Sequence, residues 1–175
     1  MRTITALRER PRATVEVDLD GQRWRALPAD AVVRCGLAVG RPLDRATARE
    51  LAREVRRSRA VGVAVRALRH RDLSRRVLGE KLPAPAREQA LETLERSGYL
   101  DDARAAGRRA AALGGRGWGD EAIRFQLEQE GFGAEETAGA LAALEAESKR
   151  AQAFRERGRS ERWLAAHGFE VASPE

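Results

Sequence analysis

The run Leu127-Glu128-Gln129-Glu130-Gly131-Phe132 returns near the other end of the chain as Leu164-Ala165-Ala166-His167-Gly168-Phe169. In both copies a leucine is followed by three polar or small residues, a glycine and a phenylalanine. That order suits the end of a helix, where a glycine stops the helix and an apolar residue folds back against the last turn. A fainter echo lies upstream, where Ser74, Leu78 and Leu82 map onto Gly119, Ile123 and Leu127 with one offset. A chain that repeats a short helical segment is constrained to stack small units. Each unit is too small to bury its own apolar surface and shares a core with its neighbour.

Composition agrees with thin cores. Charged residues make up 34% of the chain and aromatics 5%. Ala, Leu, Arg and Glu dominate, the residues that lose least on entering a helix. The formal net charge is +6, and nearly all the positive charge is arginine, Lys81 and Lys149 being the only lysines. This balance directs the chain toward polyanions or acidic protein faces. Cys35 is the only cysteine, so no internal disulfide can form and a reducing compartment is expected. No apolar run approaches the roughly 20 residues that span a bilayer, and the start of the chain has no apolar stretch of the signal-peptide kind. A cytoplasmic location without membrane contact is expected.

Six segments follow from the pattern. Residues 1–13 are charged and read as a flexible tail. Residues 14–43 read as a β-hairpin and short helix extension. Val15, Val17 and Leu19 alternate inward, and Asp20-Gly21 forms a two-residue turn that pairs Val17 with Trp24 and Val15 with Ala26. Pro28 opens the short helix, with Val32 and Val33 as its apolar contacts. Residues 44–58 read as a basic linking helix capped by Asp44. Ala48, Leu51, Ala52 and Val55 share one face, and Arg45, Arg49, Arg53, Arg56 and Arg57 share another.

Residues 59–100 read as a first three-helix unit, with Ser74 as a cap and Pro83 and Pro85 as breakers. Residues 101–146 read as a second unit, capped by Asp101 or Asp102, with Ile123, Leu127, Ala138, Leu141 and Leu144 inward. Residues 147–175 read as a truncated third. The expected fold is mostly α, with tandem three-helix repeat units in an elongated array and an N-terminal β-hairpin.

No constellation supports catalysis. His70-Arg71-Asp72-Leu73 starts like a kinase catalytic loop, but Val77 stands where the asparagine is needed. The run from Gly114 to Gly119 lacks the lysine and hydroxyl of a phosphate loop. His70, His167 and Cys35 are scattered, so neither a metal site nor a Cys-His nucleophile is expected. Asp101 and Asp102 suit capping. No cofactor is expected.

Several stretches together resemble the RecX family. Residues 64–78 look like the family's first-unit pattern, a helix ending in a basic turn followed by Ser and an apolar pair. Residues 95–106 look like its Gly-aromatic-aliphatic-Asp-Asp junction, and residues 115–141 resemble its second unit almost throughout. The hairpin with Gly36 to Gly40 resembles an N-terminal extension that some members carry. Three departures stand out: a short first unit around Pro83 to Ala86, Ala105 where a phenylalanine is expected, and a third unit cut off.

The resemblance implies a non-enzymatic regulator that lies in the groove of the RecA filament on single-stranded DNA. Such a regulator inhibits RecA's ATPase and strand exchange, modulating recombinational repair and the SOS response. It implies a monomer with at most weak direct DNA binding. Charge selects the contact residues: Arg45, Arg49, Arg53, Arg56 and Arg57 on the linking helix, Arg71, Arg75, Arg76 and Lys81 in the first unit, and Arg104, Arg108, Arg109, Arg116, Trp118 and Arg124 in the second. The alternative is a stand-alone regulator that reads DNA with a helix-turn-helix, using residues 115–127 as turn and recognition helix.

Overall fold

The computed structural model describes residues 2–170; the last part of the third unit, 171–175, lies outside the described residues. The protein is mostly helical, with an antiparallel four-stranded sheet at its N-terminal end in the order β3-β2-β1-β4. The strands are β1 (Arg2–Arg10), β2 (Thr14–Leu19), β3 (Gln22–Pro28) and β4 (Pro42–Leu43), and α1 (Ala29–Arg34) follows β3.

The segment expected as a tail over 1–13 is, in its described part, not one. From Arg2 to Arg10 it is an inner strand, paired with β2 from Ile4 to Arg10 and with β4 at Arg2 and Thr3. The charges that suggested a tail are neutralised across strands. Glu16 meets Arg8, Arg10 and Arg23, and Asp18 lies 2.8 Å from Arg8. Val15, Val17 and Leu19 point the other way, into a core with Ile4, Leu27, Leu51 and Val55. The β2–β3 register is also corrected. Val17 pairs with Arg25 and Val15 with Leu27, because a bulge between Val17 and Asp18 shifts the ladder by one residue. Val33 is 77% exposed and is no core contact; Val32 alone of the two is buried.

The linking helix does not stop near residue 57. It is one helix, α2 (Arg45–Leu68), of 24 residues. Asp44 caps it, accepting the Thr47 N–H at 2.7 Å. Thr47, Leu51, Val55, Ala60 and Ala64 face inward, and no glycine-proline break interrupts the run. The remaining helices are α3 (Arg75–Glu80), α4 (Arg87–Arg96), α5 (Asp102–Gly115), α6 (Asp120–Gln129), α7 (Ala134–Ala142), α8 (Glu147–Glu156) and α9 (Glu161–Ala166), with a 3-10 turn over Ala84–Ala86.

The chain divides into two compact bodies. The first runs to Arg66 and includes Lys81–Arg96; the second holds Ala67–Glu80 and the chain from Ser97 onward. The segment expected as one unit over 59–100 is therefore shared between them.

The core of the second body is small, as few large apolar residues demand. Ala105, Ala106, Ala110 and Leu113 of α5 meet Ile123 and Leu127 of α6 and Ala140 and Leu141 of α7. Ala138, expected inward, is exposed. A satellite cluster of Ala151, Leu164 and Phe169 takes in Phe154 and Trp163. Asp101 caps α5 through the Arg104 N–H at 2.9 Å, whereas Asp102 turns to α3 and accepts the Arg75 N–H at 2.9 Å. Ser74 also caps α3, accepting the Val77 N–H at 3.3 Å. The glycine-rich run after α5 is a packing loop. Gly119 lies so close to the Gly168 carbonyl that a Cβ there would overlap it, and its N–H donates to the His167 carbonyl at 2.8 Å.

Candidate interaction surface

In the first body, α2 sorts its arginines into two sets. Arg45, Arg49, Arg53 and Arg56 recur at three- and four-residue steps and are exposed. None of them forms an ion pair among the described residues. Arg57 belongs to the other set and leaves the expected contact surface. It is 6% exposed, and its guanidinium lies 3.0 Å from Asp30 and 2.9 Å from Glu54, with Thr93 at 3.4 Å. A cation held this way inside an apolar body fixes α1 against α2 and is not offered to a partner. Hydrogen bonding to the Thr47 backbone holds the Asp44 carboxyl below the usual range, favouring the charged form at the helix start. Burial raises the Cys35 thiol, with Glu50 and Glu54 adding to it, so no reactive thiolate lies beside this surface. Lys81, also in this body, is exposed.

In the second body most of the expected cations already have partners. Arg109 grips Glu130 through two nitrogens at 2.6 and 2.9 Å, and Arg108 lies 2.8 Å from Asp72. With Arg71, Ala105, Ala112 and Phe132 they line a cleft of about 320 Å³. Burial pushes the Glu130 carboxyl up, but hydrogen bonds from Arg109 and Gln126 outweigh it and leave the group below its ordinary value. Arg104 donates to the Gly98 carbonyl at 2.9 Å, and Arg76 reaches the Glu128 carbonyl at 3.4 Å. The Arg75 backbone is tied to Asp102.

Trp118 is a packing residue rather than an exposed anchor. It sits half-buried against the α5–α7 core, and its carbonyl accepts from Arg150 at 2.8 Å. Arg71, Arg116 and Arg124 remain exposed without an ion pair among the described residues. On α6, Arg124 shares the exposed side with Glu121, Phe125 and Glu128. That mixture does not offer the cationic face that a DNA-reading helix presents to phosphates and base edges.

Sequence reasoning missed two groups. Arg59 and Arg66 continue the exposed arginines of α2; the periodicity to find them was present, but ending the helix near residue 57 cut it short. At the other end, Trp163 stacks on His167 at 3.8 Å between ring centroids, while Arg157 lies over Phe154 at 5.4 Å and Arg159 over Trp163 at 4.9 Å. Helical spacing pairs Trp163 with His167 and Phe154 with Arg157, but no spacing rule brings Phe154 to Trp163. Among the described residues no group of three or more His, Cys, Asp or Glu could hold a metal ion, and no helix is long and apolar enough to cross a membrane.

No family model matches the chain, and no curated protein matches it. A solved structure does. The crystal structure of regulatory protein RecX aligns with 97% of this chain and 95% of its own, with a TM-score of 0.81 and 18% sequence identity. At that identity the likeness is one of architecture, and it extends from the N-terminal sheet to the last described helices. The chain has the RecX fold.

Proposed function

We propose that the protein regulates RecA by binding its filament on single-stranded DNA and inhibiting ATP hydrolysis and strand exchange. The observation that carries this reading is the match to a RecX regulatory protein over 97% of the chain. The exposed arginines of α2 support it. They offer a cationic face that forms no ion pair among the described residues, suited to an anionic partner surface.

The test is RecA's single-stranded-DNA-dependent ATPase rate, titrated with this protein. Inhibition well below one molecule per RecA is the expected result and favours interrupted filament growth. An unchanged rate at excess protein would overturn the proposal.

A further inference from the structure

The side of α2 that faces β3 carries more than charge. Ala48, Ala52, Val55, Arg59, Gly62 and Arg66 recur at three- and four-residue steps and line two adjoining hollows, of about 230 and 530 Å³, that share Arg59. From Ala48 to Arg66 is roughly 27 Å of helix at 1.5 Å per residue, the length of about eight residues of extended chain. The opposite wall is Trp24, Leu27 and Pro28 of β3 with the turn at Arg12 and Ala13. β3 is an edge strand, paired only with β2.

The floor of this groove is aliphatic. Leu27 and Leu51 are buried beneath it, Ala52 is exposed, and Val63 is 38% exposed. Its rim is cationic: Arg12, Arg25, Arg56, Arg59 and Arg66 line it, and none forms an ion pair among the described residues. One carboxylate, Asp30, also lines the groove with its side chain about half exposed, and it and the neighbouring Glu54 are already engaged. Asp30 holds Arg57 and Ser58, and Glu54 holds Arg57 and Arg34.

We infer that this groove receives an acidic segment of a partner protein. Aliphatic side chains of that segment lie against Ala52 and Val63, and its carboxylates pair with the rim arginines. The inference rests on the reading of the α2 face as a contact surface. A guanidinium matches a carboxylate two bonds at a time, and the aliphatic floor adds apolar burial that a sugar-phosphate chain cannot match. Single-stranded nucleic acid would need open aromatic faces on which to stack its bases. The groove offers one ring, Trp24, which is half-buried with the Arg25 guanidinium 4.5 Å from its centroid.

The experiment is fluorescence anisotropy on the full chain with three labelled probes. One is a peptide of about fifteen residues interleaving Asp and Glu with Leu, one is the same peptide with Ser for Leu, and one is an oligothymidine of equal length, all near physiological salt. The Leu peptide is expected to saturate and to bind at least about tenfold more tightly than the Ser peptide. Ala52→Trp, which plugs the groove, and the pair Arg56→Glu with Arg59→Glu should each weaken the Leu peptide about tenfold or more, with circular-dichroism melting curves like the wild type's.

Equal affinity for the two peptides, no saturable peptide binding, or preferred oligothymidine binding that ignores Ala52→Trp would overturn the inference. The RecA ATPase assay keeps the two readings apart. Inhibition without groove-dependent peptide binding removes this inference alone; groove-dependent binding without inhibition removes the RecA reading alone.

Discussion

Arg56 points to solvent, while Arg57, the next residue, is 6% exposed between Asp30 and Glu54. Helical spacing put both on one basic face, since nothing local marks Asp30, far away in sequence, as the partner that draws Arg57 inward. Removing a buried cation leaves its carboxylates uncompensated. Arg57→Ala should therefore cost about 2 kcal/mol, below the full penalty because Asp30 and Glu54 stay partly solvated. Arg56→Ala should change stability by less than about 0.5 kcal/mol. Urea melts of the two variants check this, and equal losses would refute it. Glu130 gives a second prediction, in pH. Its folded carboxyl lies below the ordinary value because Arg109 and Gln126 outweigh burial. The stabilisation is then complete above the unfolded value of about pH 4.3 and disappears as pH falls through the lower folded value. Glu130→Gln should lower the urea midpoint at neutral pH and converge on wild type near pH 3, so a constant gap at both pH values would count against it.

The elements most legible in the sequence are those whose ends are written locally. The repeated Leu-to-Phe segments form the same cap twice: the Phe132 N–H donates to the Leu127 carbonyl at 3.1 Å, and the Phe169 N–H to the Leu164 carbonyl at 3.1 Å. Gly131 has φ +85, and a Cβ there would lie 2.7 Å from the Ser74 hydroxyl, so strain and crowding coincide. Gly131→Ala should cost roughly 1–3 kcal/mol. Gly139, inside α7 with nothing within 4 Å of an added Cβ, should gain about 0.5–1 kcal/mol as alanine. Chemical denaturation of the two variants should move in opposite directions; a shared direction would refute the cap argument. What the sequence hid was β1. Its Arg8 and Arg10 read as tail residues until Glu16 and Asp18 stand beside them, and cross-strand neutralisation has no periodicity along one strand. The bulge at Val17 and Asp18 was hidden for the same reason. It depends on how the strands pair, not on the Asp20-Gly21 turn that correctly announced the hairpin.

Across the whole molecule, each body neutralises some of its arginines within the chain, as the first does with Arg8, Arg10 and Arg57. In the second, Arg108, Arg109, Arg150 and Arg155 are tied to Asp72, Glu130, Asp120 and Glu161. In the first, Arg45, Arg49, Arg53 and Arg56 keep their charge for solvent or a partner. A cation already neutralised within its own chain adds little to an intermolecular field, so the working charge of this +6 protein should be concentrated on α2. Reversing Arg45, Arg49, Arg53 and Arg56 together to glutamate should weaken inhibition of the RecA ATPase by tenfold or more, about 1.4 kcal/mol or above, with little change in the melting curve. Reversing Arg116 and Arg124 should do less, because acidic residues already share the α6 surface. Salt identifies what the α2 arginines meet. If they neutralised four phosphates of single-stranded DNA, log affinity against log salt would fall with a slope near −2.8, about 0.7 per contact. Pairing with protein carboxylates, without a condensed counter-ion atmosphere to release, should give a shallower dependence. Inhibition curves for wild type and the four-arginine variant over a salt series measure that slope directly. A shallow wild-type slope that the variant flattens further agrees with a protein contact, and a steep slope that the variant abolishes assigns the stripe to DNA.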